Sequence, residues 1–224
     1  MNLKLHFAYK NIYKNLLVAL FCSVILFLTS CKSQIKITFS KNACTVKYST
    51  KLGKALFDTF YAFAGETESE KIFDTEQFKQ IFSEGGLKNV SAESKVIDEI
   101  SIQGDIDGNN GDFISGSSII KSSNNGKNVE IEFSRNNLLK MYDNMPSIMR
   151  SYIDLFMAPV FTEEEMSNEE YLELISSVYG QILADEIKTS TVDFIVVLSD
   201  GKTKQFSLEL IDLINIKTDI KKNF

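Results

Sequence analysis

The chain of 224 residues sets 24 Lys and Arg against 30 Asp and Glu, a formal net charge of −6. An acidic chain is a poor nucleic-acid binder, because phosphate contacts need clustered Lys and Arg. A single His also excludes sites built from several histidines.

Lys4, Lys10 and Lys14, with no acid among them, precede the apolar run Leu16–Ser30. That run is shorter than the roughly 20 apolar residues a membrane-spanning helix needs. A positive flank, a short apolar core and then small residues form the pattern of a secretory signal peptide. Leu28-Thr29-Ser30-Cys31 resembles the lipobox of bacterial lipoproteins. The resemblance covers residues 1–31 and implies a processing route: cleavage before Cys31, then acylation of its thiol and its new amino group. It implies an exported protein of the bacterial cell envelope, anchored to the membrane by lipid. Several acyl chains hold durably where a single chain is marginal. On this reading residues 1–30 are the cleaved signal peptide and 31–33 the lipidated Cys with a short tether. Residues 34–224 form one domain close to the bilayer.

Cleavage changes the inventory. The remaining 194 residues carry 21 basic and 30 acidic side chains, a net of −9. His6 departs with the signal peptide, which removes Ser-His-Asp and Cys-His catalysis and any His-ligated zinc. Cys22 departs too and Cys31 is acylated, so Cys44 is left with no disulfide partner. Its alternation with Val46 and Tyr48 makes it a small buried hydrophobe.

Strand periodicity opens the mature chain. Ile35, Ile37 and Phe39 alternate with polar residues, as do Cys44, Val46 and Tyr48. A turn at Lys41-Asn42 sets Phe39 opposite Cys44, Ile37 opposite Val46 and Ile35 opposite Tyr48, all on one face. "KLGKALFDTFYAFAG" reads as a helix ending at Gly65. "DTEQFKQIFSEGG" reads as a second, with Asp74 as N-cap, Gln77 at the capping-box position and Gly85 or Gly86 as terminator. Three strands follow, "SKVIDEISIQG", "DFISGSSIIKS" and "KNVEIEFS". The Asn125-Gly126 turn places Ile120 opposite Ile131 and Ser118 opposite Phe133, with Glu130 and Glu132 on the wet side. A helical block spans about Arg135 to Ile187. It breaks near Asp143–Met145, restarts with Pro146 in a first turn that runs to about Pro159, and restarts again at the Ser167/Glu170 capping box. The chain closes in a hairpin through Ser199-Asp200-Gly201, with Phe194 opposite Phe206 and Val192 opposite Leu208. Strands at both ends with helices between them favour an α+β fold: an antiparallel sheet built from the N-terminal hairpin, the central meander and the C-terminal hairpin, with helices packed on one face.

Few constellations carry chemistry. Asp105, Asp107 and Asn109 fall at positions 1, 3 and 5 of an EF-hand-like loop, but Asn110 replaces its Gly and Gly116 its Glu. The Asp105–Asp112 stretch therefore reads as a strand connection, with a weak cation site as the alternative. The acids of "TEEEMSNEE" suit a first helical turn, where they offset the helix dipole. The five methionines of the mature chain, Met141, Met145, Met149, Met157 and Met166, fall within 26 residues. Methionine fills irregular cores and also builds adaptable apolar surfaces. Met141, Met145, Met149 and Met157 are therefore the candidate ligand-binding residues, for a protein partner or an apolar ligand. No cofactor motif, metal site or catalytic residue stands out. The resulting expectation is a non-enzymatic, lipid-anchored binding protein. The alternative is an envelope hydrolase working through paired carboxylates.

Overall fold

The computed structural model describes residues 32–40, 43–64, 75–84, 86–107, 118–143 and 166–224. Its class is α+β. Six strands form the main sheet: β1 (Lys32–Phe39), β2 (Ala43–Lys51), β3 (Lys88–Glu93), β4 (Glu99–Asp107), β7 (Thr191–Val197) and β8 (Thr203–Glu209), in the order β3-β4-β2-β1-β7-β8. β5 (Ile120–Ser123), β6 (Asn128–Phe133) and β9 (Ile220–Asn223) form a smaller sheet in the order β5-β6-β9. The helices are α1 (Lys54–Ala64), α2 (Thr75–Glu84), α3 (Arg135–Asp143), α4 (Asn168–Tyr179), α5 (Gln181–Thr189) and α6 (Leu210–Ile214).

Each hairpin register follows from apolar alternation. β1 pairs with β2 as Phe39↔Cys44, Ile37↔Val46 and Ile35↔Tyr48, and all six side chains are buried. A one-residue slip would turn these six out to solvent, which fixes the register. β7 and β8 pair as Phe194↔Phe206 and Val192↔Leu208 around Ser199–Gly201, with Gly201 at φ 86°. β5 and β6 pair as Ile120↔Ile131. Glu130 and Glu132 lie on the outer side and bond Lys121, Glu130 also pairing with Lys221 of β9. Ser118 lies before β5, and Phe133 pairs instead with Ile220 of β9.

Five features depart from the sequence expectation. The main sheet is mixed, because β1 lies parallel to β7, with Ile35↔Phe194 and Ile37↔Val196. The central meander is divided between the sheets: β4 joins β2, while β5 and β6 join β9. Residues 94–98 form a turn after β3, and β4 starts only at Glu99. Gly180, at φ 96°, interrupts the helix that opens at Ser167, so α4 and α5 are separate. The tether expected at residues 32–33 is itself strand: Ser33 is buried and hydrogen-bonds Thr50 at 3.0 Å.

One contiguous core joins both sheets and the helices. The smaller sheet covers one end of the main sheet's apolar face. Phe133 meets Phe194 edge-on, Phe206 stacks on Phe194, and the Gly126 carbonyl accepts from the Ser199 amide. Phe78 and Phe82 of α2, Tyr171 and Ile175 of α4, and Leu183 and Ile187 of α5 are also buried in this core. The opposite face carries the polar alternates Gln34, Lys36, Lys47 and Gln103, all exposed, as expected for a sheet with one wet side.

Gly126 and Gly201 both hold positive φ, but only Gly126 is crowded. A Cβ there would stand 2.6 Å from the Phe39 Cβ, whereas nothing lies within 4 Å at Gly201. Gly201→Ala should therefore cost only the left-handed conformation, about 1–2 kcal/mol. Gly126→Ala should add an overpacking cost of about 1–3 kcal/mol. Urea unfolding of the two variants measures the difference, and equal losses would contradict the packing of the hairpin against Phe39.

Candidate functional site

The N-terminus of α1 and the α4–α5 junction border an open cleft of about 570 Å³. Its lining includes Lys54, Ala55, Asp58, Tyr179, Ile182 and Glu186. Local sequence explains how each part arrives. The capping box closes α4 at its start, the Ser167 hydroxyl accepting from the Glu170 amide at 3.0 Å and the Glu170 carboxylate from the Ser167 amide at 2.7 Å. The Ser167 amide holds the Glu170 carboxyl below its ordinary value. Gly180 then turns the chain so that α5 can bury Leu183, Ala184 and Ile187 while Glu186 faces α1.

Glu186 joins the two helices. Its Oε2 accepts from the Ala55 amide at 3.0 Å, satisfying an orphan donor in the first turn of α1. A carboxylate is favourable at that end of the helix dipole. Gly53 makes the approach possible, because a Cβ there would collide with the Glu186 carboxyl. Burial pushes the Glu186 pKa up. The Ala55 and Leu56 amides oppose that shift, and the charge of Asp58 adds to it. Glu186 Oε1 is buried with no hydrogen-bond partner among the described residues. Asp58 is more exposed and pairs with Lys54 at 2.6 Å.

An apolar stripe leads to this cleft. Leu174, Val178 and Ile182 recur every four residues across the α4–α5 junction and are 42%, 61% and 77% exposed. Leu174 and Val178 lie one turn apart on α4, and Ile182 lies beyond Gly180 at the start of α5, where it lines the cleft. Exposed apolar side chains scattered singly are ordinary, but several close in the chain beside a cleft are the kind that meet another molecule. Sequence alone does not mark these residues, because apolar side chains spaced by four on a helix ordinarily face a core.

The sequence candidates distribute differently. Met141 is half-buried and packs on the core, as does Met166. Cys31, Met145, Met149 and Met157 lie outside the described residues, as do the Lys41-Asn42 turn, Asp74, the Pro146 helix and Glu163–Glu165. Cys44 is buried, and burial beside Asp105 pushes its thiol up to about 12, in keeping with a packing role. Asp105 sits within β4, not in a loop. Its carboxylate accepts from Asn89 and from the Thr45 hydroxyl, and these bonds hold its pKa low. Asn89 reaches it from a β-bulge in β3, where its φ is 51°. Among the described residues no group of His, Cys, Asp or Glu is placed to hold a metal ion, and no helix is long and apolar enough to cross a membrane.

Compared with known proteins, the chain matches no family model, and no curated protein or solved structure shows significant similarity to it.

The raised Glu186 pKa gives a signed prediction. The folded state binds this proton more tightly than the unfolded chain, whose ordinary value is 4.5. Stability contributed by Glu186 is therefore full below pH 4.5 and is lost as pH rises through the folded value. Denaturant unfolding of the wild type and of Glu186→Gln across that range should show the wild type losing stability relative to the variant as pH rises. A difference independent of pH would contradict the burial of this carboxyl.

Proposed function

We propose that the chain is a lipid-anchored protein of the cell envelope that acts by binding, not by catalysis, and that its binding surface is the stripe Leu174, Val178 and Ile182 with the adjoining cleft. The observation that carries the binding half is the graded exposure of this stripe, which leaves apolar area uncovered beside a cleft wide enough to take a side chain. The membrane half rests on the signal-peptide pattern and on Leu28-Thr29-Ser30-Cys31. The occupant that suits the surface is an apolar segment of a protein partner. An amphipathic segment that lays its apolar face on Leu174 and Val178, with a side chain entering the cleft at Ile182, suits a surface of this kind. Met145, Met149 and Met157, which lie outside the described residues, remain candidates for binding the same apolar partner on the sequence alone.

Asp58 and Glu186 favour a second reading. Both line the cleft, and the charge of one raises the pKa of the other, as in carboxylate pairs that share acid and base roles. Against it, Asp58 is neutralised by Lys54, and Glu186 holds the α1 amide. Both residues thus have a structural role that needs no substrate.

The test uses the full chain in its own envelope. A photo-crosslinking side chain at Val178 should give a discrete protein adduct, and the same group at Lys127 should not. Ile182→Asp should remove the adduct while changing stability by no more than about 0.5 kcal/mol, as surface substitutions do. Cys31→Ala should leave the protein unlipidated by mass spectrometry and release it from the membrane fraction. No adduct at Val178, or a membrane-bound Cys31→Ala protein with its N-terminus intact, would contradict the proposal. Turnover of a glycosidic substrate that Glu186→Gln abolishes would select the second reading.

A further inference from the structure

The strand registers place one uncovered apolar tip at the end of the sheet where the chain would leave for its anchor. Lys32 of β1 lies opposite Lys51 of β2, and Lys51 lies opposite Glu99 of β4. The turn Ser94–Asp98, which precedes Glu99, is therefore at the same end of the sheet as Lys32. It is tied there by the Leu52 amide, which donates to the Asp98 carbonyl, and by the Lys51–Asp98 ion pair. Two strand spacings separate β1 from β4, roughly 10 Å. At the tip of this turn Val96 and Ile97 are 48% and 47% exposed. The turn is internally closed: the Ser94 hydroxyl and the Glu99 amide both donate to the Val96 carbonyl.

We propose that Val96 and Ile97 contact the lipid bilayer beside the acylated Cys31. The inference rests on the lipoprotein reading and adds the orientation of the body. Because Lys32 and Ser33 are already strand, there is no slack between anchor and sheet. One peptide unit spans about 3.8 Å between Cα atoms, so lipid on Cys31 brings this end of β1 to the headgroup region. A turn about 10 Å to one side then meets the same surface. Apolar side chains at that depth leave water for the headgroup–acyl boundary. At the turn itself positive charge is offset. Lys51 is paired with Asp98 and Lys54 with Asp58, and exposed Lys95 is offset by Glu93 and Glu99 on the flanking strands. Contact should therefore not depend on anionic lipid. The opposite end of the sheet, with the Ser199–Gly201 turn, points away from the bilayer.

The chain contains no Trp, so a single introduced indole reports its own surroundings. The experiment places Ile97→Trp, and separately Lys202→Trp, in the full-length lipidated protein reconstituted in phosphatidylcholine vesicles carrying brominated acyl chains. Mass spectrometry first verifies lipid on Cys31. The indole at 97 should be quenched severalfold and blue-shifted, and the indole at 202 should match its emission in unbrominated vesicles. Adding phosphatidylglycerol should leave both unchanged. Lipid on Cys31 with an unquenched indole at 97 would overturn the proposal and leave the lipoprotein reading intact. Absence of lipid on Cys31 would overturn both. A blue shift at 97 that grows with protein concentration without vesicles would assign the tip to a second copy of the chain and overturn the membrane contact.

Discussion

The structure depends on β1 being hydrogen-bonded along both edges. On one side it pairs with β2, its neighbour in sequence; on the other it lies parallel to β7, which begins at Thr191. A parallel pair needs a long crossover, and here the chain between β2 and β7 supplies β3 to β6 and α1 to α5. Closing so long a loop costs conformational entropy before any contact repays it. The repayment is local and dense: Ile35, Ile37, Phe194 and Val196 are all buried across this one pairing. Without β1 the main sheet would fall into two parts, β3-β4-β2 and β7-β8.

The candidate site inherits its geometry from that pairing. β2 leads directly into α1 through Leu52 and Gly53, and α5 leads directly into β7 through Ser190. The two helices are brought together because the strands they serve flank β1 on opposite sides. Glu186 and Gly53 then set how close they come, one by bonding the α1 amide and the other by having no side chain to obstruct it. Leu174, Val178 and Ile182 are the large apolar side chains of α4 and α5 left exposed among the described residues.

Local order was legible in the sequence wherever neighbouring segments pair. Alternation of Ile35, Ile37 and Phe39 with Cys44, Val46 and Tyr48 admits one hairpin register, and Gly201 marks the turn that keeps Phe194 on Phe206. The capping box at Ser167 and Glu170 was likewise visible. The β1–β7 pairing was not, because partners so far apart leave no local pattern. β3 leaves little pattern because it is an edge strand with only Val90 and Ala92 half-buried, and α6 because Phe206, Leu208 and Leu210 alternate like a strand until Leu213 and Ile214 break the period. Val96 and Ile97 looked like the start of a buried strand; the structure leaves them at an exposed turn. Glu186 resembled any surface acid until α1 was laid against it.

Native-state hydrogen exchange along β1 tests the central dependence most directly. If β1 joins the two parts of the sheet, the amides of Ile35, Lys36, Ile37 and Thr38 exchange only through global unfolding. They then share the free energy and denaturant dependence of the β7 amides. Exchange of the β1 amides at a clearly lower free energy, with β7 and β8 still protected, would show β1 to be a detachable strand and would contradict the account.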